Sequence, residues 1–280
     1  MDERTYDVDL NKFVGKMFKF LRHHDVPKHW SKTKNEVYDV HLMIVLYGLY
    51  CLSDKSYKRF RRLIESCPPT SIILNSVPSA STLWRAWRRI PPRYYRKLVQ
   101  LSGKGGRDKC VALDPTHFQI TRPSIAYCKR TNRDPTKEPN RKTTIATGTR
   151  SIRIIDATIF KYSKRNGLDD IDKILGLWVK GKTVVADTEF DAEERFHKKV
   201  VEKGGKGIAP LRHKNIPVHR TSGTRRKQLR RKWPGKSYHR RPLAETANSM
   251  LQRGMGETLR GKTVGQQARH FYMKCFTHNI

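Results

Sequence analysis

Acid is what this chain has little of. It carries 25 Asp and Glu against 59 Lys and Arg, a formal net charge of +34. That excess points to a polyanionic partner, nucleic acid first, because the number of phosphates neutralised scales with the cations offered. Charge alone does not separate an enzyme from a packaging or ribosomal protein. Patterned cysteine is also missing. Cys51, Cys67, Cys110, Cys128 and Cys275 are scattered, with no CxxC pair and no Cys/His spacing for zinc. An odd, unpatterned set reads as reduced, intracellular thiols. No long apolar run is present either: Val40 to Leu52 is too short for a bilayer and is interrupted by His41 and Gly48. The opening residues MDERTYDVDL are too acidic and polar for a signal peptide. These absences together predict a soluble cytoplasmic protein with no membrane partner. What is there is 36% hydrophobic residues with five Trp, eleven Tyr and ten Phe, enough for packed cores.

Leu10, Phe13, Val14, Met17, Phe18 and Leu21 recur at helical spacing. Further helices are predicted over Glu36–Cys51 and Tyr57–Ile64. In VPSASTLWRAWRRIPP, Ser79 or Ser81 can cap a short helix that turns Leu83, Trp84 and Trp87 inward and Arg85, Arg88 and Arg89 outward until Pro91 stops it. Such a helix resembles the second helix of a helix-turn-helix; a basic surface helix in an all-α region reads equally well. The Gly-rich break Ser102–Lys109 is the predicted boundary between an all-α N-terminal DNA-binding domain, residues 1–103, and a second domain, residues 110–280. There CVALDPTHFQI, TTIATGT and SIRIIDATIF read as strands separated by a basic loop from Arg122 to Lys142. A helix over Asp169–Trp178, a strand in KTVVADTEF, a helix over Asp191–Lys203 with capping-box spacing at Asp191 and Glu194, and a fifth strand in GKGIAPLR follow. Two helices close the chain, one carrying Glu245 and one from Thr263. The order is that of an α/β domain with a mixed sheet. Residues 1–103 hold 19 basic and 9 acidic side chains and the remainder 40 and 16, so the β-containing part is the more cationic.

The few acids are therefore informative. In YHRRPLAETANSMLQR, Pro242 suits a first helical turn. At about 100° per residue, Leu243, Ala247, Met250 and Leu251 share one face and Arg241, Glu245, Asn248 and Gln252 the other. Val111-Ala112-Leu113 leads into Asp114 and Val184-Val185-Ala186 into Asp187, each predicted where a strand gives way to a loop. Open α/β sheets place their sites beyond such strand ends. Three carboxylates there would suit hard divalent cations, and two such ions suit phosphoryl displacement. Each acid also has a structural reading: Asp114 before Pro115 as a turn residue, Asp187 as an Asx turn, Glu245 as a solvated group. Asp156, expected on a strand face, Glu189 and the capping Asp191 are rivals.

These residues carry a resemblance. The chain resembles a DDE-type insertion-sequence transposase with a ribonuclease-H-like catalytic domain. Tyr238, Arg241 and Glu245 match that family's Tyr-x2-Arg-x3-Glu-x6-Lys signature, with Gln252 in the Lys position and Arg253 beside it. VALDPT matches the hydrophobic-Asp-Ser-Thr context at Asp114 and Thr116, with Pro115 replacing Ser. ADTEFD matches the ADxGYD run at Asp187, with Glu189 replacing Gly. The resemblance implies a ribonuclease-H-like mixed sheet flanked by helices. It implies Asp114, Asp187 and Glu245 as catalytic ligands of two Mg²⁺ ions, for which Mn²⁺ substitutes. It further implies strand cleavage and transfer of a 3′-hydroxyl, with Tyr238 and Arg241 on phosphates of double-stranded terminal DNA. The neighbouring cations Arg240, Arg253, Arg225, Arg226, Arg230 and Arg231, with Gln252, are candidate DNA contacts. From Lys206 to Arg241 thirteen Lys or Arg occur with no acid; within it the segment Arg220 to Arg231 is expected to contact backbone phosphate rather than bases. With Glu245 only 58 positions after Asp187 a large inserted β-domain is not expected. Joint cutting of two element ends calls for a homodimer on DNA. The alternatives are a catalytically weak DNA-binding derivative and another ribonuclease-H-like nuclease.

Overall fold

A computed structural model of the chain describes residues 9–29, 38–69, 72, 76–104, 106–121, 125–130, 132, 139–160, 167–212 and 215–280. Asp9 caps helix α1 (Leu10–His23), whose Phe13, Val14, Met17 and Leu21 are buried at the expected spacing. Helix α2 (Val40–Ser53) starts at its cap Asp39; positions 36 and 37 of the predicted helix lie outside the described residues. It is apolar on every side and buried accordingly. Helices α3 (Tyr57–Ser66) and α4 (Ala80–Arg89) pack together. The connection between them, residues 67–79, is longer than the roughly three- or four-residue turn of a compact helix-turn-helix. Ser79 caps α4, and Leu83 and Trp87 point inward. Trp84 does not: it is 38% exposed, with the Arg88 guanidinium 5.0 Å over its ring. The i, i+4 pair Leu83 and Trp87 already fills the buried stripe, and Trp84 lies a quarter-turn beyond it. The sequence predicts no helix after Pro91. One is present, α5 (Pro92–Gly103), because a proline that stops one helix suits the first turn of the next.

The β-containing part begins with β1 (Cys110–Ile120) and helix α6 (Ile125–Arg130). That helix lies inside the predicted basic loop, most of whose remaining positions before 139 are outside the described residues. Strands β2 (Asn140–Gly148) and β3 (Ile154–Ile159) complete an antiparallel meander. The helix expected over Asp169–Trp178 is broken into a 3₁₀ turn (Gly167–Asp170), one α turn, α7 (Ile171–Ile174), and a second 3₁₀ turn (Leu177–Val179). Gly176 interrupts it, where continuing the helix costs most backbone entropy. Strand β4 is only Thr183–Val185, so the predicted strand through Phe190 stops early. The predicted Asp191–Lys203 helix is a π-helix (Glu193–Lys198) leading into α8 (Lys199–Glu202). After it come β5 (Lys206–Ile208), α9 (Thr224–Arg231), α10 (Gly235–Tyr238), α11 (Pro242–Met255), β6 (Thr258–Leu259) and α12 (Val264–Asn279).

The sheet order is β3-β2-β1-β4-β5, with β4 and β5 parallel to β1 and β6 added along the far half of β1. It is the mixed sheet flanked by helices that the sequence implies. Alternate β1 residues feed two cores. Val111 and Leu113 pack with Ile171, Ile174, Phe190 and Phe196; Cys110 and Ala112 pack with Val185, Ile208, Leu229 and Ala244. A third and larger cluster joins α1, α2, α4 and α5 to Phe118, Ile145, Ile154 and, from α12, Phe271, Met273 and Phe276. Thr263 closes a capping box on α12, which packs on α5, α2 and β3. Asp156, expected on a strand face, is fully buried. Arg96 of α5 grips it with two hydrogen bonds of 2.8 and 2.9 Å, and Gln100 adds a third of 3.0 Å. Among the described residues no helix is long and apolar enough to cross a membrane.

Candidate functional site

Parallel pairing of β1 with β4 stops at Ala112 and Val185, while β1 runs on against β2 as far as Gln119. A crevice opens where β4 ends, and Asp114 lies at it. Asp114 is thus mid-strand rather than at a strand tip, and 7% exposed rather than open to solvent. It continues the Cys110–Ala112 face of the sheet, which is the face that α11 covers. Asp187 follows β4 as expected and caps the 3₁₀ turn Thr188–Phe190, accepting the Glu189 amide at 2.9 Å. Glu245 sits in the first turn of α11 and is exposed.

One guanidinium joins all three. Arg241 donates to Asp114 Oδ1 at 3.0 Å and to Glu245 Oε1 at 2.6 Å, and lies 3.9 Å from Asp187 Oδ2. The other oxygen of Asp114 accepts the Asn248 side chain at 2.5 Å. Asn248 is therefore buried, and the stripe that α11 buries is Ala244, Ala247, Asn248, Leu251 and Met255. Leu243 and Met250, placed on the apolar face by periodicity, are only half-buried. Polarity sorts residues by their affinity for water, and Asn248 has a partner that replaces water. Gln252, one turn on, donates to the His117 carbonyl at 3.2 Å. Arg241, Glu245, Asn248 and Gln252 thus form one polar edge laid along β1 from Asp114 to His117.

Burial pushes the Asp114 carboxyl above its usual range, and the charges of Glu245 and Asp187 push the same way; Arg241 and Asn248 oppose them. Burial also raises Asp187, against the Glu189 amide and the cations Arg241 and Lys142. Lys142 of β2 pairs with Glu189 at 2.6 Å, and Glu189 also accepts the Gly167 amide. Glu189 is thus tied to structure beside the site. Asp191 is too: it does not cap the π-helix but takes both prongs of Arg226, at 2.7 and 2.8 Å. Glu193 accepts the backbone amides of Arg225 and Arg226, closing the N-terminus of α9 from outside.

The candidate DNA contacts divide by what they already touch. Arg226 is committed to Asp191 and Arg230 to Thr221, while Arg225 reaches Gln228. Arg231, Arg240 and Arg253 are exposed, as are Arg85, Arg88 and Arg89 on α4. Tyr238 is half-buried beside the acids, its ring 5.0 Å edge-on from Trp233, which is 41% exposed. Nothing in the sequence marks Trp233 or Lys142, and Asn248 is not marked there as a partner of Asp114. Asn248 alone carried a signal, its place on the face of Glu245.

Among the described residues no three His, Cys, Asp or Glu side chains are drawn together closely enough to hold a metal ion. The space between these acids is taken by Arg241. The donor set itself, three carboxylates disposed about one cationic centre, fits a hard divalent ion.

No curated protein sequence matches the chain. Among solved structures it is similar to the cryo-EM structure of a piggyBac transposase synaptic complex with hairpin DNA. The TM-score is 0.41 at 10% identity, covering 96% of this chain and 73% of that one. Residues 105–280 match the family described as Transposase DDE domain. Because that match spans well over half of the sequence, from β1 through α12, the chain belongs to the transposase DDE domain family.

Proposed function

We propose that the chain cuts DNA at the ends of an insertion sequence and transfers the freed 3′-hydroxyl to target DNA, using Asp114, Asp187 and Glu245 as ligands of two Mg²⁺ ions or of Mn²⁺ in their place. The observation that carries this is the convergence of three carboxylates, distant in sequence, on one guanidinium in the crevice beside β4. When bound, the ions supply an activated hydroxyl and stabilise the leaving oxygen. The protein's own groups do the rest. Asn248 fixes the orientation of Asp114, and the Glu189 amide that of Asp187. Arg241 and Tyr238 meet the phosphates next to the cut. Arg231, Arg240 and Arg253 near the crevice, and Arg85, Arg88 and Arg89 on α4, hold the duplex by its backbone. Residues 1–103 contribute DNA binding and residues 110–280 the chemistry, and a homodimer brings two ends together.

The test is cleavage of a duplex carrying the gene's own flanking ends. Nicking at the boundary is expected with Mg²⁺ and absent with chelator. Glu245→Gln is expected to lower the rate by roughly a thousandfold or more. Tight binding without cutting by the wild type would instead identify a DNA-binding derivative. Unchanged cutting by Glu245→Gln would remove that residue from the site.

A further inference from the structure

Three carboxylates facing one another across a part-buried crevice repel unless a cation sits between them. Here Arg241 is that cation. Its side chain is 20% exposed, it touches Asp114 and Glu245, and it stands 3.9 Å from Asp187. A guanidinium cannot relieve crowding by releasing its proton, so it can leave the acids only by moving. Its fit is also incomplete: the Arg241 Nε is buried with no hydrogen-bond partner, so one donor goes unmet in this arrangement. We propose that Arg241 is a placeholder cation, holding Asp114, Asp187 and Glu245 together until divalent ions enter and then moving out to DNA phosphate. This rests on the metal role given to the acids above. Its consequence is reciprocal: metal ions and DNA each strengthen the binding of the other, because each relieves the competition that Arg241 sets up.

The test measures Mn²⁺ binding to the full chain without DNA, from the loss of the free-ion electron paramagnetic resonance signal. Arg241→Gln is expected to bind Mn²⁺ about tenfold more tightly than wild type, and Arg241→Lys to fall between. A merely structural arginine would give the opposite, since its loss would loosen the acids. Asp114→Asn separates this inference from the reading beneath it. If that variant loses Mn²⁺ while Arg241→Gln binds it no better than wild type, the placeholder role falls and the metal site stands. If Asp114→Asn binds Mn²⁺ like wild type, the acids are not the site and both ideas fall. Should Arg241→Gln not fold, the wild type still decides. Its affinity for end duplex, read by fluorescence anisotropy, is expected to rise about tenfold with Mn²⁺; no rise would overturn the proposal.

Discussion

Asp114 is held on both oxygens, by Arg241 and Asn248, yet burial still pushes its carboxyl above the usual range. In the range just above ordinary carboxylate titration the folded protein therefore holds more protons than the unfolded chain. The contribution of Asp114 to stability is then greatest at low pH and falls as pH rises through its raised pKa. Asp114→Asn removes that titration. Measured in chelator, its melting temperature relative to wild type is expected to climb as pH rises above the ordinary carboxylate range, while cleavage is lost. A flat difference would mean that Arg241 and Asn248 fully offset the burial. That Asp114, Asp187 and Glu245 come together was legible in the sequence, because their spacing and neighbours follow a recognisable order. That Asp114 would be buried was not legible, since the partner that permits it, Asn248, comes from a helix 134 residues away.

At the scale of elements, α5 is fastened to the sheet by a charge. Arg96 and Gln100 satisfy the fully buried Asp156, and Arg96 also donates to the Lys173 carbonyl. Arg96→Ala would leave a carboxylate buried with half its partners and is expected to cost about 3 kcal/mol or more in urea unfolding. The cationic helix α9 makes a second case. Its arginines look equivalent in the sequence, but Arg226 is pinned to buried Asp191 and Arg231 is exposed. Arg226→Ala is expected to lower stability, whereas Arg231→Glu is expected to leave the melting temperature nearly unchanged and weaken DNA binding. Strong periodic helices and the antiparallel meander were readable because a short local pattern determines them. The broken turns around Gly176 and the π-helix were not: a glycine interrupts the first, and in the second Asp191, expected as the cap, is bound to Arg226 of α9 instead.

For the molecule as a whole, a net charge of +34 is expected to make the proposed association with DNA depend steeply on salt. Arg231→Glu should reduce the slope of log affinity against log salt by roughly one to two and weaken all duplexes alike. A change in sequence preference greater than the change in slope would show that Arg231 reads bases.

The cluster that joins α1, α2, α4 and α5 to α12 also orders events during synthesis. Helix α2, apolar on every side, leaves the ribosome some two hundred residues before the helix that covers it. Until then the side of α2 that α12 packs against stays bare, although α1, α3 and α4 can already cover the rest. A chain that ends before α12 is therefore expected to show greater protease sensitivity than the full chain, with that apolar face of α2 exposed.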